Sequence, residues 1–559
     1  MKNRAFNLMK LWCDTLLTYQ VKTNTPYTNG SLLCPACSVV HGRIADLCFP
    51  LCVIWDKTGD EYYLQQADAL IDWSEFNIKA PDGLWYNDVA TRWYGISAFS
   101  AMAIGESLFH FGDRMPKQYK DKWFAIFQRM ADGLVALRHR KSFSPGINYY
   151  CGFATVLAMA WRLTGNEHYK NEINYWLDIA CANFDKDGLL CGEFFFTTAE
   201  DGSRMIDMGY NLEESLPLLL RYAQLTGEKE EYFRQRLRDH LYFVLPDGAI
   251  DNSWGTRHNK WTYWGSRTAD GLVEGLALVL DDEQFRCACE RILSLYEQCT
   301  HDGLLAMPMA HEANEPTCLH HSFTHAKALA TLVLAENDLP VKKTLLPGEE
   351  KFGVRKYQND NLVLVSNGPF RATFTCCQAA CLPEDALHQG GSMTLLYVDG
   401  YGPLCAATSV AYIPSEPLNQ QYLRHGYDGR CMTAQFVIGD YQSSADLNAK
   451  LSVDGMTITA KADLWQAKYA FNENVLSIDL TCENGVYNLP IVCKKDASLK
   501  ISPDLKELTV DGCVQIKSTT PLIVDLNERV FHQVGGLLYL PISVSVKQLE
   551  QMTIKILKK

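Results

Sequence analysis

A helix-ending signal recurs at nearly constant spacing through the first 340 or so residues, and it limits the fold more than any other feature. The signal pairs a glycine with an acidic or amide residue, or joins two acidic residues. It stands at Gly59, Gly112, Gly165, Gly227 and Asp281, at intervals of 53, 53, 62 and 54 residues. Glycine ends helices, and short polar side chains cap the next helix. One helical hairpin per interval is therefore predicted.

Apolar spacing between these signals predicts twelve helices in six hairpins. They are expected near residues 5–20, 40–57, 61–76, 93–111, 116–139, 147–163, 167–183, 208–225, 229–244, 265–280, 282–298 and 319–336. The even-numbered helices are more apolar, so they would form an inner ring. The prediction is an N-terminal (α/α)6 toroid over residues 1–338, with an open solenoid of helix pairs as the alternative.

The pattern changes after residue 338. Residues 339–352 carry prolines and a charge cluster, which predict a linker. From residue 353 to residue 559, short alternating apolar runs are separated by Asn-Gly, Asp-Gly and proline turns, which predict an antiparallel β-sandwich. A chain of 559 residues is longer than one hydrophobic core usually supports. The fold class is therefore a multidomain α+β protein, a toroid followed by a sandwich.

Charge and hydropathy limit the classes of partner that this chain is expected to bind. The formal charge is −13 and no basic run interrupts it, which argues against a nucleic acid or an anionic membrane. The N-terminus lacks the apolar core and cleavage site of a signal peptide, so a cytoplasmic protein is expected unless a leader was removed, when it would be periplasmic. Twenty cysteines without a repeating frame predict buried thiols and no disulfide scaffold. The sequence leaves a homo-oligomer open.

Residues 251–270, called here the central loop, hold three tryptophans, a tyrosine, two arginines, a lysine and a histidine. Apolar spacing explains few of them. Flat rings and forked cations suit a sugar that carries a carboxylate, and an ordered loop of this length is typically functional. The alternative is that the aromatic side chains plug one end of the helical domain.

In a ring of helical hairpins, the loops that lead into the inner helices open on one face. Their polar side chains predict a site for an oligosaccharide or polysaccharide that contains a uronic acid, with arginines for its carboxylate and rings for its faces. The residues predicted to bind substrate are His41, Arg43, Arg92, Tyr149, Asn211, Trp254, Arg257, His258, Trp261 and Arg267.

Hydrolysis of a glycosidic bond requires one protonated and one ionised carboxyl group. Asp88 and Glu214 are the predicted pair, since each lies beside aromatic residues at the start of an inner helix. Two structural interpretations compete with this one. Asp88 could cap a helix, and Glu214 could complement a helix dipole.

Cleavage by β-elimination would instead require a Tyr or His base near C5 of the sugar. Tyr150 and His325 are the predicted catalytic residues for that reaction, with Tyr149 and His258 as further candidates. Neither the His321/His325 pair nor the group of Cys34, Cys37 and His41 makes a complete zinc signature. No metal and no cofactor are therefore predicted.

Two motifs resemble the heparinase II/III and alginate lyase group of polysaccharide lyases. Residues 388–404 are similar to that group's His-led strand ending in a glycine turn, and residues 209–215 are similar to its Gly, Glu and Ser segment. The chain departs from the group where a catalytic Tyr is expected, since it has Leu216-Pro217-Leu218 there. It also has Asn148-Tyr149-Tyr150 where the group has an Asn-His pair.

Residues 34–46, Cys-Pro-Ala-Cys-Ser-Val-Val-His-Gly-Arg-Ile-Ala-Asp, resemble a segment of exo-acting β-glucuronidases that share the toroid and sandwich plan. This resemblance implies a glycoside hydrolase that releases a terminal β-glucuronate, with Asp88 and Glu214 as acid and base. It is the interpretation that the sequence favours. A uronate lyase with Tyr150 as base and a non-catalytic glycan-binding protein are the alternatives.

Overall fold

The computed structural model describes residues 1–559 except 94, 141–142, 144, 266–267, 337–338, 381–388, 409–417, 419, 424–426 and 558–559. Within these residues, a helical N-terminal domain is followed by a domain of antiparallel sheets. The predicted order of helices and then strands is confirmed. In this part of the chain, no helix combines the length and apolarity that crossing a bilayer requires.

Helices occupy the first 334 residues. They are α1 (Lys2–Thr18), α2 (Cys48–Thr58), α3 (Glu61–Asn77), α4 (Ser97–Phe111), α5 (Lys117–Leu137), α6 (Ile147–Thr164), α7 (Glu167–Ala182), α8 (Met208–Tyr210), α9 (Leu216–Thr226), α10 (Glu230–His240), α11 (Val273–Ala277), α12 (Glu283–Gln298) and α13 (Leu319–Leu334). A wider π-helical turn, Asn211–Ser215, joins α8 to α9.

Two of the helix-ending signals act as the sequence predicts. Gly59 ends α2 with φ 73°, and the carboxylate of Asp60 caps the first turn of α3. Gly165 and Asn166 do the same between α6 and α7. Gly112 differs, because it ends α4 at φ −54°, a conformation open to any residue. The 53-residue spacing of the helix-ending signals is therefore kept at Gly112, although this glycine is not in the left-handed conformation.

The helices contact one another in a closed succession. Helix α2 contacts α4, and the contacts continue through α6, α9, α11 and α13 back to α2. Each member also contacts a second helix: α3 lies on α2, α5 on α4, α7 on α6, α10 on α9, α12 on α11 and α1 on α13. The helices of the closed succession are more buried than their partner helices. Thirteen of the fifteen residues of α4 are buried, whereas only three residues of α10 are.

The helix predicted over residues 265–280 is wrong at its start. Helix α11 covers Val273–Ala277, and the described residues just before it are irregular. Gly265 and Gly271 have φ values of 146° and 101°, which a right-handed helix does not allow. Ion pairs also hold the side chain of Asp270 from two sides.

Four antiparallel sheets make up the second domain, and one small hairpin belongs to the first. The hairpin is β1 (Thr300–His301) with β2 (Leu304–Leu305). The five-stranded sheet is β3 (Gly353–Tyr357), β4 (Leu362–Asn367), β5 (Phe370–Thr375), β6 (Ser392–Val398) and β7 (Gly402–Ala406). Helix α13 ends at Leu334, so the stretch between it and β3 contains the predicted linker.

The other three sheets complete that domain. The eight-stranded sheet has the order β10 (Lys450–Asp454), β11 (Thr457–Lys461), β12 (Trp465–Asn472), β13 (Val475–Cys482), β22 (Leu549–Ile556), β18 (Val514–Ser518), β17 (Glu507–Val510) and β16 (Leu499–Ile501). The four-stranded sheet is β21 (Ser543–Val546), β14 (Gly485–Asn488), β8 (Gln435–Ile438) and β9 (Tyr441–Gln442). The three-stranded sheet is β15 (Ile491–Val492), β20 (Leu537–Leu540) and β19 (Val530–His532).

The second domain covers the central loop of the first. Thr373 in β5 donates a 2.6 Å hydrogen bond to the carboxylate of Asp251. Ser253 donates one of 2.8 Å to Thr394 in β6. These contacts bury the beginning of the loop, so the two domains share one continuous core there.

Candidate functional site

Loops that lead into the contacting helices meet in a pocket at the N-terminal ends of α4, α6 and α13. The pocket is lined by Arg43, Asn87, Ile96, Phe99, Asn148, Tyr149, Tyr210, Glu214, Thr268 and His320. Helix N-termini carry unpaired N–H groups and partial positive charge. An anionic group of a ligand is therefore favoured at this end of the helices.

A larger depression lies toward the other ends of α4 and α13 and also borders α9. Glu106, Arg221 and Thr331, which lie toward the C-terminal ends of α4, α9 and α13, line it. Its charged side chains already pair with one another, as in the 2.7 Å contact between Arg221 and Glu106. The smaller pocket is the better candidate, because it joins a buried acid, amides and tyrosine hydroxyl groups at the positive ends of the helices.

Arg43 is the centre of a buried ion-pair network beside the pocket. Its guanidinium group lies 2.8 Å from Asp46 and 2.9 Å from Glu214, and it also pairs with Asp270. Asp270 accepts a further 2.6 Å hydrogen bond from Lys327 in α13. The side chain of Arg43 is 4% exposed and those of its three partners at most 1%. These contacts tie the loop before α2 to α9, α11 and α13.

Protonation reduces the negative charge of this network. Its cations are Arg43 and Lys327, and its carboxyl groups are those of Asp46, Glu214, Asp270 and Glu274. Burial raises the pKa of Glu214 to about 8 and that of Glu274 to about 8. Against burial, Arg43 and Lys327 lower the pKa of Asp270. Burial also raises the pKa of Asp46. At neutral pH, Glu214 and Glu274 are therefore protonated, and Asp270 is ionised between the two cations.

Glu214 also meets Asn148, the second residue of α6. The amide nitrogen of Asn148 donates a 3.0 Å hydrogen bond to Oε2 of Glu214. No described residue hydrogen-bonds the amide oxygen of Asn148, which is buried. Glu214 lies in the π-helical turn just before Pro217, whose ring would crowd the carbonyl group of Glu213 in a regular helix. That turn sets the direction of the Glu214 side chain.

Two tyrosine hydroxyl groups complete the polar wall. The indole N–H of Trp93 donates a 3.1 Å hydrogen bond to the hydroxyl oxygen of Tyr149. The hydroxyl groups of Tyr210 and Thr268 lie 2.9 Å apart. Tyr149 is half-buried, and Trp93 is 37% exposed at the outer edge. The Tyr149 hydroxyl group is therefore the one nearer to solvent.

His320 lines the pocket from the first turn of α13. Its ring is buried, and neither ring nitrogen has a hydrogen-bond partner among the described residues. His325 lies five residues further along α13, about 7.5 Å deeper along the helix axis. It stacks on Trp264 with 5.7 Å between ring centroids, and burial lowers its pKa to about 4. The structure therefore places the predicted His325 in the core behind the pocket.

The central loop presents its aromatic rings to protein. Trp254 and Trp261 are 2% and 1% exposed. Trp261 donates to the carboxylate of Asp207 at 3.1 Å, and Trp254 packs on Phe243. The predicted sugar-stacking role of these two rings therefore needs correction, because both are buried: Trp254 in the core that the two domains share, and Trp261 against Tyr210 within the helical domain.

Arg257 is also engaged inside the protein. Its Nε donates a 2.8 Å hydrogen bond to Glu193, and burial raises the pKa of Glu193 to about 7. His258 is fully buried in the same loop. The predicted Arg267 lies outside the described residues, as does His388 of the lyase-like motif. The predicted roles of Arg257 and Arg267 in binding a substrate carboxylate stay predictions.

Four other predicted residues have structural contacts of their own. Asp88 accepts the backbone N–H groups of Ala90 and Thr91 within a loop, so it stabilises a turn and does not cap a helix, since α4 begins only at Ser97. Asn211 donates to the carbonyl group of Leu190 and is not among the residues that line the pocket. The other two residues, Tyr150 and Arg92, contact aromatic rings. Tyr150 packs on Trp176 of α7 and on Phe196, and the exposed Arg92 lies over the ring of Tyr86.

His41 faces cysteines. Its Nε2 lies 3.2 Å from Sγ of Cys318, and Cys34 and Cys37 join the same cluster. Cys34, Cys37 and His41 remain an incomplete metal-ligand set by themselves. The fold adds Cys318, which is 277 positions from His41 in the chain, to the same cluster.

The structure thus places Arg43, Tyr149 and Glu214 together and adds residues that were not among the predicted ones. The added pocket residues include Asn87, Asn148, Tyr210, Thr268 and His320. A signal for Asn148 was present, since it stands directly before Tyr149 at the start of an inner helix. Thr268 carried no such signal, because it is brought in by the irregular chain before α11.

Both domains match one family. Residues 9–349 match the family described as the ulvan lyase N-terminal domain, and residues 354–559 match the ulvan lyase C-terminal domain. The chain is 30% identical to the broad-specificity ulvan lyase of Formosa agariphila, over 97% of this chain and 92% of that protein.

Solved structures agree on the fold. Heparinase III has a TM-score of 0.55 and 13% identity, over 93% of this chain and 77% of that one. The chondroitin AC lyase of Streptomyces coelicolor A3 has a TM-score of 0.54 and 12% identity, over 100% and 80%. At such low identity these likenesses concern the fold, a helical domain followed by antiparallel sheets.

These matches overturn the favoured interpretation of the sequence. The prediction of an exo-β-glucuronidase-type glycoside hydrolase is wrong, because both domains match ulvan lyase families. The pairing of Asp88 with Glu214 as acid and base of hydrolysis is withdrawn with it. The resemblance to polysaccharide lyases, given as the alternative, is the one that the matches support.

Proposed function

This chain belongs to the ulvan lyase family, and on that premise we propose that it is a polysaccharide lyase that cleaves ulvan, or another uronate-containing polysaccharide, by β-elimination. The name of the Formosa agariphila relative supports the substrate. The observation that carries the chemistry is the protonated Glu214 beside Asn148 and the hydroxyl group of Tyr149 in one pocket.

The fold in this proposal is an (α/α)6 toroid with a β-sandwich. Helices α2, α4, α6, α9, α11 and α13 form the inner ring, which their closed succession of contacts supports. Their partner helices form the outer ring. The polysaccharide would then cross the end of the toroid at which the inner helices begin, between the pocket and the sheet domain.

The first requirement of the elimination is to weaken the C5–H bond of the uronate. Its negative carboxylate resists the removal of a neighbouring proton, so the site must neutralise that charge. Glu214 can do so, because a carboxyl group with a pKa of about 8 is protonated at neutral pH and donates a hydrogen bond. A uronate beside it would stabilise that proton further. Asn148 and Arg43 hold Glu214 in place through its two oxygens.

The second requirement is a base and an acid. In our assignment, Tyr149 takes the proton from C5, because the Trp93 N–H stabilises negative charge on its oxygen. The electron pair of the C5–H bond forms the C4–C5 double bond, and the bond from C4 to the glycosidic oxygen breaks. Tyr210 then gives that oxygen a proton. Tyr149 and Tyr210 line the same pocket as Glu214, which this division of roles requires.

The test is digestion of ulvan by the full chain, followed by absorbance in the near ultraviolet and by size-exclusion chromatography. A lyase produces shorter chains and a rising absorbance together, because each cut leaves a double bond conjugated to the carboxylate. Shorter chains without absorbance would contradict elimination. Ulvan that stays intact after long incubation, although the protein binds it, would favour the non-catalytic alternative.

A further inference from the structure

Three cysteines and one histidine meet outside the proposed catalytic pocket. Cys34, Cys37, His41 and Cys318 each turn one ligand atom toward a common centre, and these four atoms lie within 4.8 Å of one another. All four residues are buried, with at most 4% exposure. Buried thiols are ordinary when they pack singly. A converging set of three thiols and an imidazole is the ligand set of a zinc site.

Three of the six distances among the ligand atoms are close to those of a tetrahedral site. Sγ of Cys318 lies 3.9 Å from Sγ of Cys34 and 3.8 Å from Sγ of Cys37. In a tetrahedral site with Zn–S bonds of about 2.3 Å, two sulfur atoms are about 3.8 Å apart. The 3.2 Å between Sγ of Cys318 and Nε2 of His41 is slightly shorter than the roughly 3.6 Å that Zn–S and Zn–N bonds require.

Backbone hydrogen bonds hold Cys34 and Cys37 in position. A tight turn closes on Cys34, whose carbonyl group accepts the N–H of Ser38 at 2.8 Å and whose N–H donates to Val39 at 2.9 Å. Ser38 takes a left-handed conformation, φ 57°, within this turn. The turn thereby holds the thiols of Cys34 and Cys37 toward one centre. Cys318 comes from the residue just before α13.

The histidine is oriented as a metal ligand. Nδ1 of His41 contacts the carbonyl oxygen of Leu418 in the sheet domain. With the proton on Nδ1, that nitrogen donates to the carbonyl group and Nε2 presents its lone pair to the thiols. A ligating histidine commonly makes this second hydrogen bond, which fixes the ring and its tautomer.

We propose that Cys34, Cys37, His41 and Cys318 bind one Zn²⁺ ion with a structural role. Four protein ligands leave no open position for water or substrate, which distinguishes a structural from a catalytic zinc site. The ion would join three distant segments: the loop before α2, the start of α13 and, through His41, the sheet domain. Arg43 and His320 each stand two residues from a ligand, so the ion would also steady that wall of the pocket.

The experiment measures metal in the full chain, purified without metal-affinity chromatography and without chelator. We expect about one zinc per chain. Cys37→Ala and Cys318→Ala should lose the zinc, whereas Cys289→Ala, at a buried thiol of α12, should keep it. The Tm of Cys37→Ala should fall by more than about 5 °C relative to Cys289→Ala.

Cobalt gives a second measurement in the wild-type chain, independent of whether the variants fold. After reduction and exchange, Co²⁺ should give intense visible bands and thiolate-to-cobalt charge transfer, as in tetrahedral sulfur sites. Turnover with Co²⁺ should match that with Zn²⁺, because the ion does not touch substrate. Wild type that takes up neither metal after reduction, Cys37→Ala that keeps its zinc, or a disulfide among these cysteines in the purified protein would overturn the proposal.

Discussion

The amide nitrogen of Asn148 lies 3.0 Å from Oε2 of Glu214, and this hydrogen bond joins the start of α6 to the turn before α9. The other carboxyl oxygen of Glu214 meets the guanidinium group of Arg43 at 2.9 Å. A carboxyl group gripped at both oxygens cannot turn away from the pocket. In the proposed reaction, the proton that burial leaves on Glu214 therefore has a fixed position at which to meet a uronate.

Tyr149→Phe tests the proposed base. It removes one oxygen atom while the ring stays in place, so kcat should fall by a factor of about 100 or more, with KM little changed. Tyr150→Phe is the matched control, because its ring packs on Trp176 and Phe196. Initial rates on ulvan by near-ultraviolet absorbance provide the measurement. Equal losses in the two variants would remove Tyr149 from the mechanism.

Glu214→Gln tests the protonated acid through the pH dependence of kcat/KM. In the wild type, activity should decline as pH rises through about 8, where Glu214 loses its proton and begins to repel the uronate. The charged groups that face it, Arg43, Asp270 and Lys327, keep their charges through this range. A glutamine cannot ionise, so the remaining activity of the variant should lack that decline. An unchanged alkaline decline would assign it to another group.

Arg43→Met should destabilise the fold. The change leaves the buried carboxyl groups of Asp46, Glu214 and Asp270 without their shared cation. Removing one partner of a buried ion pair costs about 3–5 kcal/mol. Arg92→Met, at an exposed guanidinium group over Tyr86, should cost less than about 1 kcal/mol. Denaturant unfolding at pH 7 compares the two, and a similar cost for both would mean that the network is not central to stability.

Glu274→Gln should flatten the pH dependence of stability. Folding raises the pKa of Glu274 from 4.5 to about 8, first through burial, and Asp270 and Glu106 add to this while Lys327 and Arg43 oppose it. Between these pH values the folded chain keeps a proton that the unfolded chain has lost. The free energy of unfolding therefore falls as pH rises, by up to about 1.4 kcal/mol per pH unit.

In the variant that decline should be smaller between pH 5 and pH 8, with Glu61→Gln, at an exposed side chain of α3, as the control. Thermal unfolding at several pH values measures it. Equal slopes in the wild type and in Glu274→Gln would show that Glu274 does not hold its proton in the folded protein.

The order of the helices could be predicted from the sequence because the residues that end and cap a helix act on their immediate neighbours. Gly59 and Asp60 end one helix and cap the next without help from the rest of the chain. The start of α11 escaped prediction for the opposite reason. Asp270 is drawn out of a helical path by Arg43 and Lys327, two residues far away in the sequence.

The site was predictable as a region but not as a set of side chains. Successive residues on a helix differ by about 100° in direction, so a one-residue error separates Tyr149 in the pocket from Tyr150 against α7. The same geometry separates His320 from His325. The central tryptophans were misjudged because their burial depends on partners distant in the sequence, such as Tyr210 for Trp261 and the sheet domain for Trp254.

The reaction type could not be predicted from carboxyl groups alone. Asp88 and Glu214 are both buried acids, but one binds backbone N–H groups in a loop and the other is part of the Arg43 network. A residue type in a loop does not reveal its partner. The fourth ligand of the proposed zinc site, Cys318, was invisible for the same reason, since the fold brings it to His41 across 277 positions.

The most direct test of the account is the mass of the fragments released from ulvan in water enriched in oxygen-18. Elimination adds no water across the broken bond, so the new non-reducing ends should carry a double bond and the fragments should contain no oxygen-18 from the cleavage step. Labelled reducing ends can arise by slow exchange, so fragments reduced immediately after a short digestion should be compared. Saturated fragments with one oxygen-18 for each bond cut would contradict the lyase assignment and the roles given to Glu214 and Tyr149.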